Sequence, residues 1–393
     1  MENRGTLVVL PSTAMSDTAP SSDGHRDVSP TEEELRTLRR VPDNIPRATF
    51  LVAAIELCER FTFYGLSGPF QNYIGNSYHN ANGLPGAIGL DQSGATGLNN
   101  FFQFWCYVTP ILGAIIADQY LGKYRTIFYF SIVYAVGVFI LFVTSLPAAI
   151  EYGAALGGLI AAMIVIGLGT GGIKANVSPL IAEQYSRDKP FVRTLGSGER
   201  VIVDPALTIS RIYMMFYLCI NIGSLSSSVT TLLEKHVGFW SAFLLPFLIF
   251  LVGFWVLVTG KKHYVMRPPA GSVIPQAFRV CWIGALNHGN LDAAKASDRR
   301  HGLKTRPSWD DQFVEEVKRA VVACKVFLFF PIYWAVYIQM VSAVHHYHAW
   351  LTADPVEAQQ LRLTSWPDAV TRYTQRHHAE LGSDHHSSVH PGL

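Results

Sequence analysis

Charge is what this chain has least of. Asp, Glu, Lys and Arg make up 15% of its 393 residues, where a soluble domain carries about 25%. With 49% hydrophobic residues, that shortage points to lipid as the surrounding solvent. A net charge of +2 leaves no global basic field of the kind that draws nucleic acid, so nucleic acid is not expected as a partner. Cysteines are few and odd in number, at positions 58, 106, 219, 281 and 324, which argues against a disulfide framework. The N-terminal stretch MENRGTLVVLPSTAMSDTAPSSDGHRD is polar, with only a short apolar run at 7–10. It lacks the apolar core of a secretory leader, and the first long apolar span is expected to do the targeting. No Ser/His/Asp order, metal-ligand spacing or nucleotide loop sits on a watered segment, so neither an enzyme nor a cofactor nor a metal is expected.

What the chain does have is long apolar runs. A bilayer-spanning helix needs about 20 residues, and runs of that order lie near 50–74, 98–117, 126–147, 154–177, 211–232, 237–259 and 321–341. Lys and Arg concentrate in alternate loops: 118–125 holds Lys123 and Arg125, 183–211 holds five, and 261–320 opens with Lys261 and Lys262. The segments 75–97 and 148–153 hold none. By the positive-inside rule the N-terminus faces the cytosol, and seven spans leave the C-terminus outside. The predicted organisation is a cytosolic tail (1–48), a six-helix transmembrane bundle (49–260), a cytosolic loop with an interfacial helix around VIPQAFRVCWIGAL (261–320), a seventh helix (321–341) and a His-rich tail (342–393). Ser29-Pro30-Thr31-Glu32 reads as a capping box with Pro at the first helical position, opening a short helix through Leu38. His345, His346 and His348 have no second ligand set at metal spacing, so a tail without fixed structure is expected there.

The segment ELCERFTFYG (56–65) breaks the apolar pattern. At 100° per residue, Glu56, Glu59, Arg60, Phe63 and Tyr64 share an arc of about 140° on one helix face. Glu56 and Arg60 stand at i and i+4, the favourable order for an ion pair. Charges facing lipid are costly, so this face must look into a bundle or a watered cavity. Such a cluster is either a fixed ion pair between helices or a transport site; buried pairs are poor stabilisers, which favours transport. Lys174, in GLGTGGIKANVSPLIAEQY, is the other charge deep in an apolar span. It lies roughly 10 Å above the inner boundary by helix rise, at a depth similar to Glu56; snorkelling to the interface is its alternative reading. Facing one another, two carboxylates and two cations would respond to a proton arriving at either Glu. The glycines at 167, 169, 171 and 172 allow close helix approach, but they follow no strand and form no phosphate loop. Asn176-Val177-Ser178 matches a glycosylation acceptor, at a helix end where it is expected to go unused.

ELCERFTFYG resembles the ExxERFxYYG signature of the proton-coupled oligopeptide transporter family of the major facilitator superfamily. GAIIADQYLGKYRTI (113–127) is similar to that family's loop between its second and third helices, GTGGIKANVSP (169–179) to its fourth-helix motif, and FYLCINIGSL (216–225) to its fifth-helix motif. The resemblance runs over about 29–340 and is strongest to fungal di- and tripeptide transporters. It implies an all-α transmembrane fold, here the N-terminal six-helix bundle plus a seventh helix with the C-terminal bundle missing. It also implies proton-driven import of di- and tripeptides by alternating access, in the plasma membrane. Carried over by motif, Glu56 and Glu59 would couple protons, Arg60 and Lys174 would hold the peptide carboxylate, Tyr64 and Tyr107 would line the pocket, and Asn221 would bond the peptide backbone.

Several positions depart from the family pattern. Phe63 replaces the signature's first Tyr. Ser67 stands where many members carry a second Arg, so carboxylate capture leans on Arg60 and Lys174. Asn100 occupies the position of a histidine in animal members, and Ile338 precedes Gln339 where a polar or acidic residue is usual. After Met340 the likeness is expected to end in an unrelated tail, which would leave the cavity without its second wall and the chain as an incomplete form. Two other readings stay open: a transporter of another small anion such as nitrate, and a non-transporting membrane protein that associates with a full-length homologue.

Overall fold

The computed structural model describes residues 29–79, 83–269, 271, 273–295, 309–330, 332 and 333. The tail after residue 341, the N-terminal 28 residues and the predicted seventh helix from 334 onward, with Ile338 and Gln339, lie outside them. The chain divides into two units, one up to Pro275 and one from Gln276.

The first unit is a helical bundle. Its elements run α1 (Glu32–Thr37), β1 (Arg40–Val41), α2 (Arg47–Gly75), α3 (Asp91–Ile116), a π-helical turn (Ala117–Leu121), α4 (Lys123–Thr144), α5 (Pro147–Glu151), α6 (Ala155–Glu183), β2 (Phe191–Thr194), β3 (Arg200–Val203), α7 (Pro205–Ser224), α8 (Ser226–His236) and α9 (Phe239–Thr259). Among the described residues five stretches are long and apolar enough to cross a membrane: 91–121, 123–144, 155–183, 205–236 and 239–263. The 29-residue α2 is not among these five. Its central Glu56, Glu59 and Arg60 and the polar residues beyond them lower its hydropathy, yet it is long enough to span at about 1.5 Å per residue. Compensation comes from burial, because α2 packs against α3, α6, α7, α8 and α9 and its charged face never meets lipid. Each of the first six sequence-predicted spans overlaps a helix of the structure, with ends displaced by up to seven residues. The fifth is interrupted at Leu225, between α7 and α8.

Glycine sets how closely the helices approach. A Cβ on Gly113 of α3 would fall 2.4 Å from the Gly171 carbonyl oxygen of α6, and one on Gly172 would fall 2.1 Å from the Phe130 ring of α4. Both are impossible contacts, so α6 can lie between α3 and α4 only with hydrogen at these positions. Thr109 Oγ1 donates to Gly167 O at 2.7 Å and Trp105 Nε1 donates to Ile164 O at 3.0 Å, tying α3 to α6. Asn176 is buried, its amide donating to Gly172 O at 2.8 Å, so the glycosylation-like sequence has no free acceptor.

At the end of the bundle that carries Lys123 and Glu183, the segment 183–211 is not a plain loop. The hairpin β2–β3 is antiparallel, and β1 adds to β3 in parallel, giving the order β1-β3-β2. Asp43 knots this sheet to the helices. Its carboxylate accepts from Tyr185 Oη at 3.2 Å and from Arg193 Nη1 at 2.9 Å, while its backbone N–H donates to Thr208 Oγ1 at 2.9 Å. The capping box exists two residues later than predicted: Thr31 is the N-cap and Glu34 its partner, bonded both ways. Pro30 precedes the cap instead of opening the helix.

The second unit contains α10 (Ile274–Leu286) from Gln276 onward, a 3-10 turn (Leu291–Ala294) and α11 (Asp311–Cys324), followed by a 3-10 stretch to Phe329. α10 covers the predicted interfacial sequence. Val280, Ala294, Val314 and Val317 form a small core, and Asp292, Lys295, Glu315 and Lys318 an ion-pair network over it. Hydrogen bonds from Lys295 and Lys318 hold the Asp292 carboxyl below its ordinary range. α11 begins ten residues before the predicted seventh span. Its Asp310 cap and the pair of buried valines make it amphipathic rather than lipid-facing at its start.

Candidate functional site

The face drawn from the sequence of α2 is buried as a unit. Arg60 Nε lies 2.5 Å from Glu59 Oε2 and 3.2 Å from Glu56 Oε1, with the three side chains 7%, 1% and 7% exposed. One turn along, the guanidinium lies 5.2 Å from the Phe63 ring centroid. That ring stacks on Phe102 of α3 at 5.8 Å and meets Tyr64 edge-on at 5.5 Å. Tyr64 is half-buried. Ser67 spends its hydroxyl on Phe63 O of its own helix.

α7 closes one side of this cluster. A Cβ on Gly223 would sit 2.8 Å from Arg60 Cβ, so α7 touches α2 at the level of the arginine. Asn221, two residues away, is exposed and donates its amide to Tyr217 O of its own helix at 2.8 Å; it bridges no second helix. On the other side stands α6. Lys174 is half-buried, and its Nζ lies 4.0 Å above the ring of Tyr107, which is itself 64% exposed. Among the described residues Lys174 makes no ion pair with a carboxylate, but its charge is near enough to Arg60, Glu59 and Glu56 to interact with each through space. The sequence expects carboxylates as the lysine's partners; the structure gives it an aromatic face. The ammonium is thus held by a cation–π contact and not by a salt bridge.

Tyr134 of α4 lies within electrostatic reach of Glu59 and Arg60 and was not found from the sequence. It is fully buried, its ring 4.5 Å from Phe250, and its hydroxyl has no hydrogen-bond partner among the described residues. Glu59 Oε1 and Arg60 Nη2 are likewise buried without one. The signal for Tyr134 was weak, a single phenol within an apolar run, and only the pairing of α4 with α6 through Gly169 brings it inward; a Cβ there would meet Tyr134 at 2.6 Å. Asn100 is exposed near the start of α3.

A membrane bundle with a buried carboxylate-guanidinium cluster facing a lysine on another helix has the makings of a transport protein. Comparison with known proteins identifies which kind. The family model described as POT family matches residues 124–355, which extends past Met340, and the chain belongs to that family. It is an integral membrane protein. It is 56% identical over 311 residues to the peptide transporter PTR_B of Candidozyma auris, covering 79% of this chain and 53% of that one. It is 49% identical over 335 residues to the peptide transporter PTR2 of Saccharomyces cerevisiae, covering 85% and 55%. The chain thus spans about half the length of the curated relatives it matches. Among solved structures, the POT family transporter PepTSo aligns with a TM-score of 0.56 at 22% identity, covering 76% of this chain and 61% of that one, a likeness of fold.

Proposed function

We propose that this chain provides one wall of a proton-driven importer of di- and tripeptides that works by alternating access, with its N-terminus in the cytosol of a plasma-membrane protein. The observation that carries this is the buried triad of Glu56, Glu59 and Arg60, with Lys174 resting on Tyr107 across from it. A peptide carboxylate entering between α2 and α6 can accept two parallel hydrogen bonds from Arg60, the geometry a guanidinium favours, and draw Lys174 off its aromatic rest. Arg60 would then release a carboxylate, and a proton would neutralise it, since an ionised Glu cannot stay buried without its partner. Tyr64 and Tyr107 line the approach. The amide of Asn221, bonded only within its own helix, can turn to a peptide backbone group, which suits a site indifferent to side chains.

The test is a chimera in which residues 29–260 replace the corresponding segment of the yeast PTR2 relative, reconstituted in liposomes and supplied with labelled dipeptide. Uptake should follow an inward proton gradient and be lost with Glu56→Gln. Uptake indifferent to the gradient, or intact in that variant, would reject coupling through this cluster. Competition by nitrate instead of by dipeptides would replace the substrate class.

A further inference from the structure

The bundle contains a second polar feature, far along the chain from the α2 cluster and unused by the transport reading. A cavity of about 400 Å³ opens where the π-turn, the start of α4 and the end of α6 meet the strap 266–269, and its lining includes Tyr120, Lys123, Arg125, Glu183, Met266 and Arg267. The strap is fixed in place. Val265 N–H donates to the buried Gln184 side chain at 2.9 Å, and Gly271 N–H donates to Asp118 O at 2.9 Å. Gly122, with φ +75°, has room for Arg267 O to lie 3.6 Å from where a Cβ would stand.

The charge of this cavity is uneven. Lys123 is committed to Glu183 at 2.6 Å, which cancels the lining's carboxylate. Arg125 and Arg267 are exposed, and neither has a hydrogen-bond or ion-pair partner among the described residues. Two free guanidinium groups therefore face one hollow at the N-terminus of a 22-residue helix, whose first-turn N–H groups also favour an anion. The rim is apolar and aromatic, with Tyr120 71% and Met266 48% exposed. The volume falls in the range of about 300–1,000 Å³ typical of sites for small organic ligands, and far exceeds the roughly 30 Å³ of a water molecule.

We propose that this cavity binds the phosphate of an anionic phospholipid, with Arg125 and Arg267 on the headgroup and the acyl-glycerol portion running over Tyr120 and Met266 into the adjoining leaflet. A free phosphate ester shares the headgroup chemistry but leaves the apolar rim unused, which is why the lipid is the chosen source. The inference rests on the bundle being membrane-embedded with this end at the inner face, where anionic lipids and basic residues meet.

Native mass spectrometry of the full purified chain tests it, with phosphatidic acid, phosphatidylserine or phosphatidylcholine added in detergent. The two anionic lipids should be retained and phosphatidylcholine lost. Each arginine should contribute about fivefold to the affinity, so Arg125→Gln with Arg267→Gln should weaken it on the order of thirtyfold. Arg267→Gln alone lies on the exposed strap, where it cannot unfold the bundle, and should show its own fivefold loss. Lys261→Gln with Lys262→Gln, exposed and outside the lining, should change nothing. Equal retention of all three lipids, or an unaffected double arginine variant, overturns the site. Displacement by glycerol 3-phosphate at the same concentration as lipid overturns the lipid assignment in favour of a soluble ester. Binding in detergent does not depend on topology, so a separate cysteine-accessibility map placing Arg267 outside would refute the orientation without touching the binding result.

Discussion

Removing Arg60 alone should be far worse for stability than removing the whole charged triad. Arg60→Met leaves Glu56 and Glu59 side by side with 7% and 1% exposure and no cation within ion-pair distance. An uncompensated buried charge of this kind costs roughly 3–5 kcal/mol. The lost cation–π contact of the guanidinium with Phe63 at 5.2 Å adds about 2 kcal/mol in this desolvated setting. For a unit of this size 1 kcal/mol moves Tm by about 2–4 °C, so the single variant should melt roughly 10–28 °C below the parent. The triple variant Glu56→Leu, Glu59→Met, Arg60→Met keeps similar volume with no charge to bury, and replacing a buried ion-pair cluster by apolar residues in this way is often neutral or stabilising. It should recover most of the lost Tm while remaining unable to support gradient-driven uptake in the chimera. The measurement is tryptophan fluorescence during thermal unfolding in a single detergent. A triple variant no more stable than Arg60→Met would show that the triad holds the helices together, and the argument for its role in transport would fail.

The glycine packing offers a paired experiment on neighbouring helices. Gly113→Ala places a methyl 2.4 Å from the Gly171 carbonyl oxygen and should destabilise by about 1–3 kcal/mol through overpacking; Gly157→Ala, with nothing within 4 Å of its Cβ, should gain up to about 1 kcal/mol from helix propensity. Both are read by the same melting assay, and equal effects would mean that α3 and α6 do not touch as described. At the sheet, Asp43→Ala leaves the Tyr185 hydroxyl and the Arg193 guanidinium without their shared carboxylate, a loss of about 1–3 kcal/mol that should appear as faster hydrogen exchange across 191–203 while the exchange of α4 and α6 stays as it was.

Why some of this was legible in the sequence and some was not follows from which rules are local. Glu56, Glu59 and Arg60 stand out because an apolar span tolerates charges only for a reason, and the 100° step of a helix then places them on one face without any tertiary knowledge. Lys174 is conspicuous on the same ground, but the ring beneath it is not: Tyr107 lies on another helix, and its meeting with Lys174 depends on how closely glycines let α3 approach α6. Tyr134 is hidden for the same cause. The hairpin at 191–203 escaped notice because four-residue strands of mixed composition carry no period long enough to read. Two overlapping boxes, Ser29 with Glu32 and Thr31 with Glu34, compete for the start of α1. The second wins because Glu34 reaches back to the Thr31 backbone N–H at 2.9 Å, and sequence spacing alone does not rank them.

The packing that shelters the triad also explains how charges there can be both buried and responsive. Close approach of α7 at Gly223, where a Cβ would meet Arg60, and the near-complete burial of the three side chains strengthen every electrostatic interaction between them as the local dielectric falls. The packing does not satisfy them all: among the described residues Glu59 Oε1, Arg60 Nη2 and Tyr134 Oη have no hydrogen-bond partner, and each such group costs about 1–3 kcal/mol until something bonds it. A well-packed apolar substitute would have no such demand. A triad held this tightly yet incompletely bonded gains most from a guest that brings acceptors and a proton together, because a carboxylate alone would crowd two others and a proton alone would leave the arginine short of a partner. Binding and protonation are then favourable jointly and unfavourable singly. That pairing is the thermodynamic content of symport, and on the function proposed above it would arise from one helix face of α2 set against a glycine-rich α6 whose Lys174 rests on Tyr107.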